Sequence, residues 1–450
     1  GGHGISLSLG PTDGIRAASN SPKLNGLTMM RLGMSLGKLF TKGDHRHRVV
    51  IGKDTRLSGY TIEQSITSGL LSMGLDVLLL GPIPTPGVAM LAKSMRADLG
   101  IMISASHNSY LDNGIKIFDK NGNKLSDKIE LDLESLMDSN IEEHLVSPEK
   151  MGRAKRLEDA NARYIEFQKN TFPKKLNLEG LKIVLDCANG AAYKSAPIIL
   201  WELGAEVISM GVNPNGLNIN HECGSTHPEN MAMRVVEEKA DIGICLDGDG
   251  DRIIICDENG KIIDGDQILG LLALHWKKFN QLSTDSIVAT SMSNFGLEEI
   301  LNKNNIKLHR ADVGDRYVKE MMLDVNANVG GEQSGHIILR DFIATGDGMI
   351  TALQVLRIII EKNQLPSKTL NVFEPLPQKL LNFEITDGNI LQENKTKQMI
   401  KNCKDMLGNE GRIFVRMSGT ESLLRVMIEC KNSSILDKVI QEVDSFFIKL

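Results

Sequence analysis

The sequence has few cysteines, no long apolar run and no excess of basic residues. Its six cysteines include no pair at the spacing of a zinc site, and they are too few for a disulfide scaffold of this length. We therefore expect reduced, mostly buried thiols in a cytoplasmic protein. No stretch approaches the ~18 apolar residues of a membrane span, so no membrane segment is expected. The net charge of −6 provides no basic surface for nucleic acid.

The length and the residue patterns predict several domains. A chain of 450 residues exceeds what one hydrophobic core usually holds, and three or four domains are expected. Strand and helix patterns alternate through most of the chain, which predicts α/β units with mixed, mostly parallel sheets. The first unit loses its strands after residue 117. Beyond three prolines between residues 366 and 377, two strands (411–416 and 423–429) with flanking helices predict a smaller α+β unit.

The predicted fold class is thus α/β, with three consecutive α/β domains and a C-terminal α+β domain around a central cleft. Each domain contributes one polar loop, and we expect the four loops to meet in that cleft. The predicted boundaries are 1–155 for the domain with the serine loop, 156–257 for that with the aspartate loop, 258–370 for that with the glycine-rich loop, and 371–450 for that with the arginine loop.

A small-residue loop follows the continuous apolar run at residues 99–103. The run predicts a buried parallel strand. The loop then presents the hydroxyl of Ser106 at the carboxyl end of a sheet, where open α/β sheets bind ligands. A serine in such a loop is more often a turn former or an N-cap than a catalytic residue. The loop alone therefore does not identify a site.

Three aspartates separated by glycines give the strongest signal in the sequence. Glycines let the backbone fold tightly, so that Asp247, Asp249 and Asp251 can point at one position, and such oxygen ligands suit Mg²⁺. A calcium EF-hand is excluded because Arg252 occupies the sixth position, where that loop needs glycine, and because the flanks are predicted strands. A solvated acidic turn is disfavoured because apolar strands rarely converge on uncompensated charges.

Two further loops carry polar groups, and each has a structural alternative. In the stretch 331–336, Glu332, Ser334 and His336 offer partners for hydroxyl groups, but a glycine-rich surface turn explains the stretch equally well. The stretch 416–425 offers guanidiniums, hydroxyls and a glycine N–H that suit a phosphate, or it forms a polar hairpin turn. Arg16 and Lys116 are placed to approach Ser106, although each alone is more simply a solvated or ion-paired side chain.

Taken together, the four loops resemble the α-D-phosphohexomutase family. The resemblance covers essentially the whole chain, with every motif in order. Gln333 in the third loop, together with the stretches 217–229 and 313–318, is most similar to the members that act on glucosamine phosphates. The resemblance implies an isomerase that interconverts glucosamine 6-phosphate and glucosamine 1-phosphate. It also implies a phosphoserine enzyme and a bisphosphorylated sugar intermediate.

The family resemblance also implies a role for each candidate residue. Ser106 would carry the phosphoryl group. The metal ligands would be Ser106, Asp247, Asp249 and Asp251. The catalytic set would be Ser106, Lys116, Arg16 and His336, with Lys116 as a proton carrier and His336 near the acid/base chemistry. The residues that hold the sugar and its phosphates would be Arg252, Glu332, Ser334, Arg416, Ser418, Gly419, Thr420 and Arg425.

Cofactors and partners follow from the same resemblance. It implies Mg²⁺, phosphorylated Ser106, and glucosamine 1,6-bisphosphate as activator and intermediate. The partner is a phosphosugar, with no nucleic acid and no membrane, and a homodimer is left open. The product would feed amino-sugar precursors of the bacterial envelope.

Three other functions are compatible with the sequence. A phosphomannomutase or phosphoglucomutase of the same family is the closest of them. A non-catalytic sugar-phosphate sensor is favoured by Ser109, Met417 and Ser422, which stand where the family usually has prolines, but it would not need both Ser106 and three aspartates. A hydrolase would need a path for water where the sugar lies.

Overall fold

The computed structural model describes residues 14–385, 387–418 and 422–449. These residues form four sheets flanked by helices, the last of them in a smaller C-terminal unit, and the predicted fold class is confirmed. All six cysteines are free and five are buried, as expected. Within the described ranges, no helix is both long enough and apolar enough to cross a membrane.

The first unit is built on a six-stranded sheet in the order β1-β5-β4-β2-β3-β6. Its strands are β1 (Ile15–Ala18), β2 (Arg48–Lys53), β3 (Asp76–Pro82), β4 (Leu99–Ile103), β5 (Asp112–Asp119) and β6 (Ala154–Arg156). Its helices are α1 (Gly26–Leu39), α2 (Gly59–Ser72), α3 (Thr85–Ser94) and α4 (Asp127–Met137). The central strands are parallel, whereas β5 runs antiparallel to both β4 and β1.

The prediction that strands end after residue 117 was wrong. Strand β5 continues to Asp119, and β6 pairs in parallel with β3 at the edge of the sheet. All three residues of β6 are exposed, so no apolar residue marks the strand in the sequence. Edge strands of this kind are defined by backbone pairing alone, which sequence patterns do not report.

The second and third units each have their own sheet, in the orders β11-β10-β9-β7-β8 and β13-β12-β14-β15. The strands are β7 (Lys182–Asp186), β8 (Glu206–Met210), β9 (Ile242–Leu246), β10 (Ile253–Cys256), β11 (Ile262–Ile263), β12 (Ser286–Thr290), β13 (Lys307–Ala311), β14 (Val329–Gly331) and β15 (Ile337–Leu339). The helices are α5 (Ala160–Lys169), α6 (Ser195–Glu202), α7 (Glu229–Glu238), α8 (Gly265–Lys278), α9 (Phe295–Lys303), α10 (Asp315–Val325), α11 (Gly348–Lys362) and α12 (Pro366–Leu370).

One hydrophobic core joins these two units. Buried side chains of β9 and β10 belong to the same cluster as those of β12, α8 and α11. Helix α11 is buried over most of its surface, which explains its nearly continuous apolar sequence. The two sheets are therefore held in a fixed relation by packing, which positions the loops at their ends.

The fourth unit has a three-stranded antiparallel sheet covered by two long helices. Its elements are β16 (Gln378–Glu384), α13 (Asn394–Leu407), β17 (Gly411–Met417), β18 (Leu423–Cys430) and α14 (Ser433–Ile448). Sequence analysis predicted β17 and β18 but missed β16, which pairs with β18 along all seven residues. Five of those residues are exposed, so the period-2 pattern of a half-buried strand is absent.

A buried ion pair attaches the fourth unit to the third. Glu429 on β18 is fully buried, and its carboxylate accepts hydrogen bonds from the Phe295 N–H at 2.6 Å and from Arg412 Nη2 at 3.1 Å. The same Arg412 nitrogen donates to the Ser293 carbonyl at 3.1 Å. Ser293 belongs to the loop between β12 and α9. Thr290 at the end of β12 and Met292 in that loop line the cavity described below. The contact that attaches the fourth unit to the third is therefore next to one wall of that cavity.

We expect Glu429→Ala to loosen the fourth unit, because Arg412 and the Phe295 N–H lose their buried acceptor. Breaking a buried pair of this kind costs about 3–5 kcal/mol. Hydrogen exchange should therefore show loss of protection at Phe295 and along β17, while the amides of β4 keep theirs. Glu442→Ala, at an exposed position of α14, is the matched control. Equal protection at Phe295 in the two variants would contradict this account of the docking.

Candidate active site

Ser106 lies in a backbone conformation that few serines adopt. It follows β4, has a φ of +50°, and is only 2% exposed. Its carbonyl accepts hydrogen bonds from Arg56 Nη2 at 3.0 Å and from Asn220 Nδ2 at 2.8 Å, and its N–H donates to Ser104 Oγ at 3.0 Å. A left-handed residue held by several independent contacts is typical of functional sites.

Sequence analysis did not identify two of the residues that hold this loop. Arg56 was not among the residues to which sequence analysis gave a role. It pairs with Asp54 at 2.8 Å, and both side chains are buried. Its position just beyond β2, the strand next to β4, was the available signal. Asn220 is in a stretch quoted only for the family resemblance, and nothing in its neighbourhood indicated a contact with Ser106.

The hydroxyl of Ser106 is surrounded by charged groups. Lys116 Nζ and Arg16 Nη2 donate to Ser106 Oγ at 2.9 Å and 3.3 Å, and Oγ in turn donates to Asp249 Oδ2 at 3.3 Å. Lys116 lies on β5 opposite Met102 of β4, and Arg16 lies on β1, the other neighbour of β5. The structure therefore brings together four of the residues that sequence analysis singled out.

The three aspartates lie in the loop between the antiparallel strands β9 and β10. All three are buried, and one carboxylate oxygen from each lies within 4.8 Å of the others. Each also has one oxygen that is buried without a hydrogen-bond partner: Oδ2 of Asp247, Oδ1 of Asp249 and Oδ1 of Asp251. Buried acceptors are rarely left unpaired, and three together are the ligands that Mg²⁺ prefers. The donor set therefore fits a hard divalent cation.

The aspartate loop and the serine loop approach each other closely. A Cβ atom at Gly248 would lie 2.5 Å from the Ser106 carbonyl oxygen, so a larger residue would push the two loops apart. Thr85, at the start of α3, donates from Oγ1 to Asp249 Oδ2 at 2.5 Å. Sequence analysis missed Thr85, which follows a proline-rich turn and carries no pattern of its own.

Two buried cationic groups face the aspartates. Lys116 Nζ lies 2.7 Å from Asp249 Oδ2 and 3.3 Å from Asp251 Oδ2. His336 lies between two carboxylates, with Nδ1 3.6 Å from Asp251 Oδ2 and Nε2 3.7 Å from Asp315 Oδ2. Asp315 pairs in turn with Lys124 at 2.6 Å, a contact that sequence analysis did not anticipate.

The balance of burial and charge sets the protonation of these groups. Burial lowers the pKa of Lys116, but the charges of Asp249 and Asp251 outweigh it, and the pKa is raised. Burial also lowers the pKa of His336, but its contacts with Asp251 and Asp315 reverse the direction and raise it. Burial, together with Asp251 and Asp249, raises the pKa of Asp247. The site thus favours charged Lys116 and His336, and it disfavours the charge of Asp247.

A cavity of about 380 Å³ opens beside these groups. Its charged and polar lining from the predicted set comprises Arg16, Ser106, Lys116, Asp251, Arg252, Glu332, Ser334 and His336. Glu332 is fixed in place by the Gly314 N–H, which donates to Oε1 at 2.9 Å. Ser334 is exposed at the edge. Three of the four predicted loops therefore meet around one cavity of sugar-phosphate size.

The fourth loop does not line this cavity in the described part of the chain. Arg416 and Arg425 lie opposite each other on β17 and β18, where like charges repel. No carboxylate of the described residues forms an ion pair with either arginine. Ser418 is half-buried just beyond β17, while Gly419 and Thr420 lie outside the described residues. The pair of arginines is suited to an anion, but the expected meeting of four loops is seen for three.

Four family models match the chain in order. They are described as Phosphoglucomutase/phosphomannomutase alpha/beta/alpha domain I at residues 9–144, domain II at 162–260, domain III at 264–376, and the C-terminal domain at 380–445. Together they span most of the sequence, including every loop described above.

Sequence relatives and solved structures agree with these matches. The phosphoglucosamine mutase of Parvibaculum lavamentivorans is 55% identical over 432 residues, which are 96% of this chain and 96% of that protein. That of Caulobacter vibrioides is 54% identical over 435 residues, or 96% and 97%. A phosphoglucomutase/phosphomannomutase family protein from Burkholderia thailandensis has the same fold, with a TM-score of 0.80 at 22% identity, over 98% of this chain and 97% of that chain.

A second solved structure is that of Aspergillus fumigatus N-acetylphosphoglucosamine mutase in complex with GlcNAc-6P and magnesium. It aligns with a TM-score of 0.62 at 18% identity, and it covers 93% of this chain and 99% of that chain. At these identities the two structures support the fold.

Asp247→Asn should weaken binding of a divalent cation by at least about tenfold, the lower end of what changes around a metal site cost. The substitution keeps the size of the side chain but removes one of three charges that converge on the site. Binding is measured with Mn²⁺ by electron paramagnetic resonance of the free ion. Asp257→Asn, outside the cluster just beyond β10, is the control. Unchanged Mn²⁺ affinity in Asp247→Asn would contradict the assignment of the aspartates to a metal site.

Proposed function

Because the chain belongs to the phosphoglucomutase/phosphomannomutase family and is thus a phosphohexomutase, we propose that it interconverts glucosamine 6-phosphate and glucosamine 1-phosphate. The preference for glucosamine phosphates is supported by phosphoglucosamine mutases that are 52–55% identical over 96% of the chain. The observation that carries the mechanism is the position of Ser106 Oγ, 2.9 Å from Lys116 Nζ and 3.3 Å from Asp249 Oδ2. A nucleophilic hydroxyl beside a cation and a cluster of metal ligands is the arrangement that phosphoryl transfer requires.

Mg²⁺ is the proposed cofactor, held by Asp247, Asp249, Asp251 and an oxygen of the phosphorylated Ser106. The proposal is supported by the three unpartnered carboxylate oxygens and by the magnesium complex of the Aspergillus neighbour. When bound, the ion supplies positive charge to the phosphoryl oxygens. Everything else in the transfer is performed by groups of the chain itself.

The proposed reaction consists of two phosphoryl transfers. In the first transfer the bond between phosphorus and Ser106 Oγ breaks while a bond forms to a hydroxyl of the bound sugar monophosphate. The product is glucosamine 1,6-bisphosphate, and the hydroxyl proton passes to Ser106 Oγ through neighbouring groups. The bisphosphate then turns within the site, and its other phosphate is transferred to Ser106. The enzyme is thereby restored to its phosphorylated form, and free bisphosphate serves as the activator that phosphorylates Ser106 initially.

The surrounding cations have separate tasks in this proposal. Lys116 Nζ and Arg16 Nη2 already donate to Ser106 Oγ, so they are placed to stabilise the charge that develops on that oxygen during transfer. Lys116 can also return a proton to Oγ when the phosphorus bond breaks, since the charged form of its amine is favoured. His336, held between Asp251 and Asp315, acts as an acid toward the sugar side of the cavity.

The remaining loops are proposed to bind the sugar. Glu332 and Ser334 form hydrogen bonds with sugar hydroxyls, and Arg252, which lines the cavity next to Asp251, holds the phosphoserine. Arg416, Ser418 and Arg425, with Gly419 and Thr420, bind the phosphate that is not being transferred. Because the described residues of the arginine loop do not line the cavity, this role requires the fourth unit to close over the bound sugar.

We also propose that the partner of this enzyme is a phosphosugar, that the enzyme acts in the cytoplasm, and that its product is consumed in amino-sugar metabolism. We propose residues 155, 257 and 370 as the last residues of the first three domains.

The proposed reaction is tested by a coupled assay on glucosamine 6-phosphate, mannose 6-phosphate and glucose 6-phosphate. We expect the highest kcat/KM with the glucosamine phosphate. Ser106→Ala should lose several orders of magnitude in kcat while it retains the thermal stability of the wild type, because the change is small. Activity of Ser106→Ala near that of the wild type would rule out the phosphoserine mechanism. Preference for the mannose or glucose phosphate would instead assign the chain to another substrate within the family.

We expect Arg425→Ala to raise KM and lower kcat together. Binding of the distal phosphate both holds the sugar and drives closure, so its loss affects ground state and transition state alike. Free phosphate released per turnover should also rise, because an open site admits water to the phosphoserine. Lys438→Ala, exposed on α14 across the sheet, is the matched control. Unchanged KM, kcat and phosphate release in Arg425→Ala would show that this loop does not bind the distal phosphate.

A further inference from the structure

Two histidines and an aspartate converge at the amino-terminal ends of strands β2 and β4 in the first sheet, whereas Ser106 follows the carboxyl end of β4. His47 immediately precedes β2, Asp98 immediately precedes β4, and His45 is in the loop before β2. We propose that these three side chains form a second metal site, which binds Zn²⁺ or a similar divalent ion that favours imidazole ligands. Neither the mutase reaction nor the aspartate cluster requires these residues.

The distances are close to those of a metal site. His45 Nε2 lies 2.8 Å from Asp98 Oδ1, and the rings of His45 and His47 have centroids 4.2 Å apart. One ligand atom from each of the three residues lies within 4.8 Å of the others. Around a tetrahedral zinc ion, ligand atoms bound at about 2.0–2.1 Å are separated by about 3.3 Å. Small side-chain rotations therefore suffice to place all three around one ion.

Two further hydrogen bonds orient the less mobile ligands. His47 Nε2 contacts the Lys42 carbonyl oxygen at 2.8 Å, which requires the proton on Nε2 and leaves the lone pair of Nδ1 for a metal. Asp98 Oδ2 accepts the Arg48 N–H at 2.8 Å, which leaves Oδ1 for the ion. Metal-ligating histidines and carboxylates are usually oriented by contacts of this kind. His45 is exposed, so its ring can complete the site by rotation.

The chemistry of this cluster separates it from the aspartate site. Imidazole nitrogens favour zinc, copper and nickel, whereas Mg²⁺ favours oxygen ligands. The two sites also lie at opposite ends of β4, a strand of five residues that spans about 17 Å. Excess Mg²⁺ should therefore occupy the aspartates and leave the histidine site available to zinc. With three protein ligands, the fourth position would be taken by water.

The test is equilibrium dialysis of the full chain against Zn²⁺ in saturating Mg²⁺. All proteins carry His3→Ala, because an imidazole near the amino terminus offers another nitrogen ligand. We expect one bound zinc in this background, and at least about tenfold weaker binding after His45→Ala or Asp98→Asn. His144→Ala, which removes another exposed histidine, should bind zinc as the background does. Zinc should also raise the melting temperature of the background protein but not of His45→Ala or Asp98→Asn.

Two results would overturn the proposal. Zinc affinity unchanged by both His45→Ala and Asp98→Asn would show that these residues are not ligands. Zinc binding that is lost in Asp249→Asn but retained in His45→Ala would assign the ion to the aspartate cluster. Because His45 is exposed and remote from Ser106, the mutase activity of the His45→Ala variant with Mg²⁺ should equal that of the background protein. The result is therefore independent of whether the proposed function is correct.

Discussion

The structure depends on the burial of three carboxylates within 4.8 Å of one another. Carboxylates removed from water at this spacing repel strongly unless cations compensate them. Lys116 and His336 supply part of that compensation from within the chain. The three oxygens that remain unpartnered indicate that a bound cation supplies the rest. The same charges raise the pKa values of Lys116 and His336, so one constraint sets both the metal affinity and the protonation of the groups beside Ser106.

This constraint also explains why contacts around Ser106 and the aspartates join the first three units, whereas the fourth unit is attached at a different place. Ser106 is held by Arg56 of its own unit and by Asn220 of the second, and Asp249 is held by Thr85 of the first unit. His336 of the third unit completes the cluster. The fourth unit attaches through Glu429 to the Phe295 N–H at the start of α9. The charge of the site is fixed by three units, and the proposed distal phosphate site lies on the fourth. This arrangement suits a site that opens and closes around a substrate that must turn over.

Sequence patterns identified the parts that carry either a hydrophobic period or unusual chemistry. The continuous apolar residues of β4 and β9 predicted buried strands, and the glycine-spaced aspartates predicted a convergent cluster. The edge strands β6 and β16 could not be predicted, because their exposed residues carry no period and only backbone pairing defines them. Arg56, Thr85 and Asn220 were missed for a different reason, since each contacts a residue far away in the sequence and lies in a stretch with no pattern of its own. The absence of Arg416 and Arg425 from the cavity lining depends on how whole units dock, which local sequence does not report.

The central claim is that Ser106 carries a phosphoryl group during turnover. The most direct measurement is intact-protein mass spectrometry after incubation with glucosamine 1,6-bisphosphate and Mg²⁺, followed by peptide mapping. We expect a mass increase of one phosphoryl group, located on Ser106. It should disappear when excess glucosamine 6-phosphate, whose free hydroxyl accepts the group, is added with Mg²⁺, and it should persist when the metal has been removed. A protein that turns over substrate without acquiring phosphate on Ser106, or that acquires it on another residue, would contradict the account.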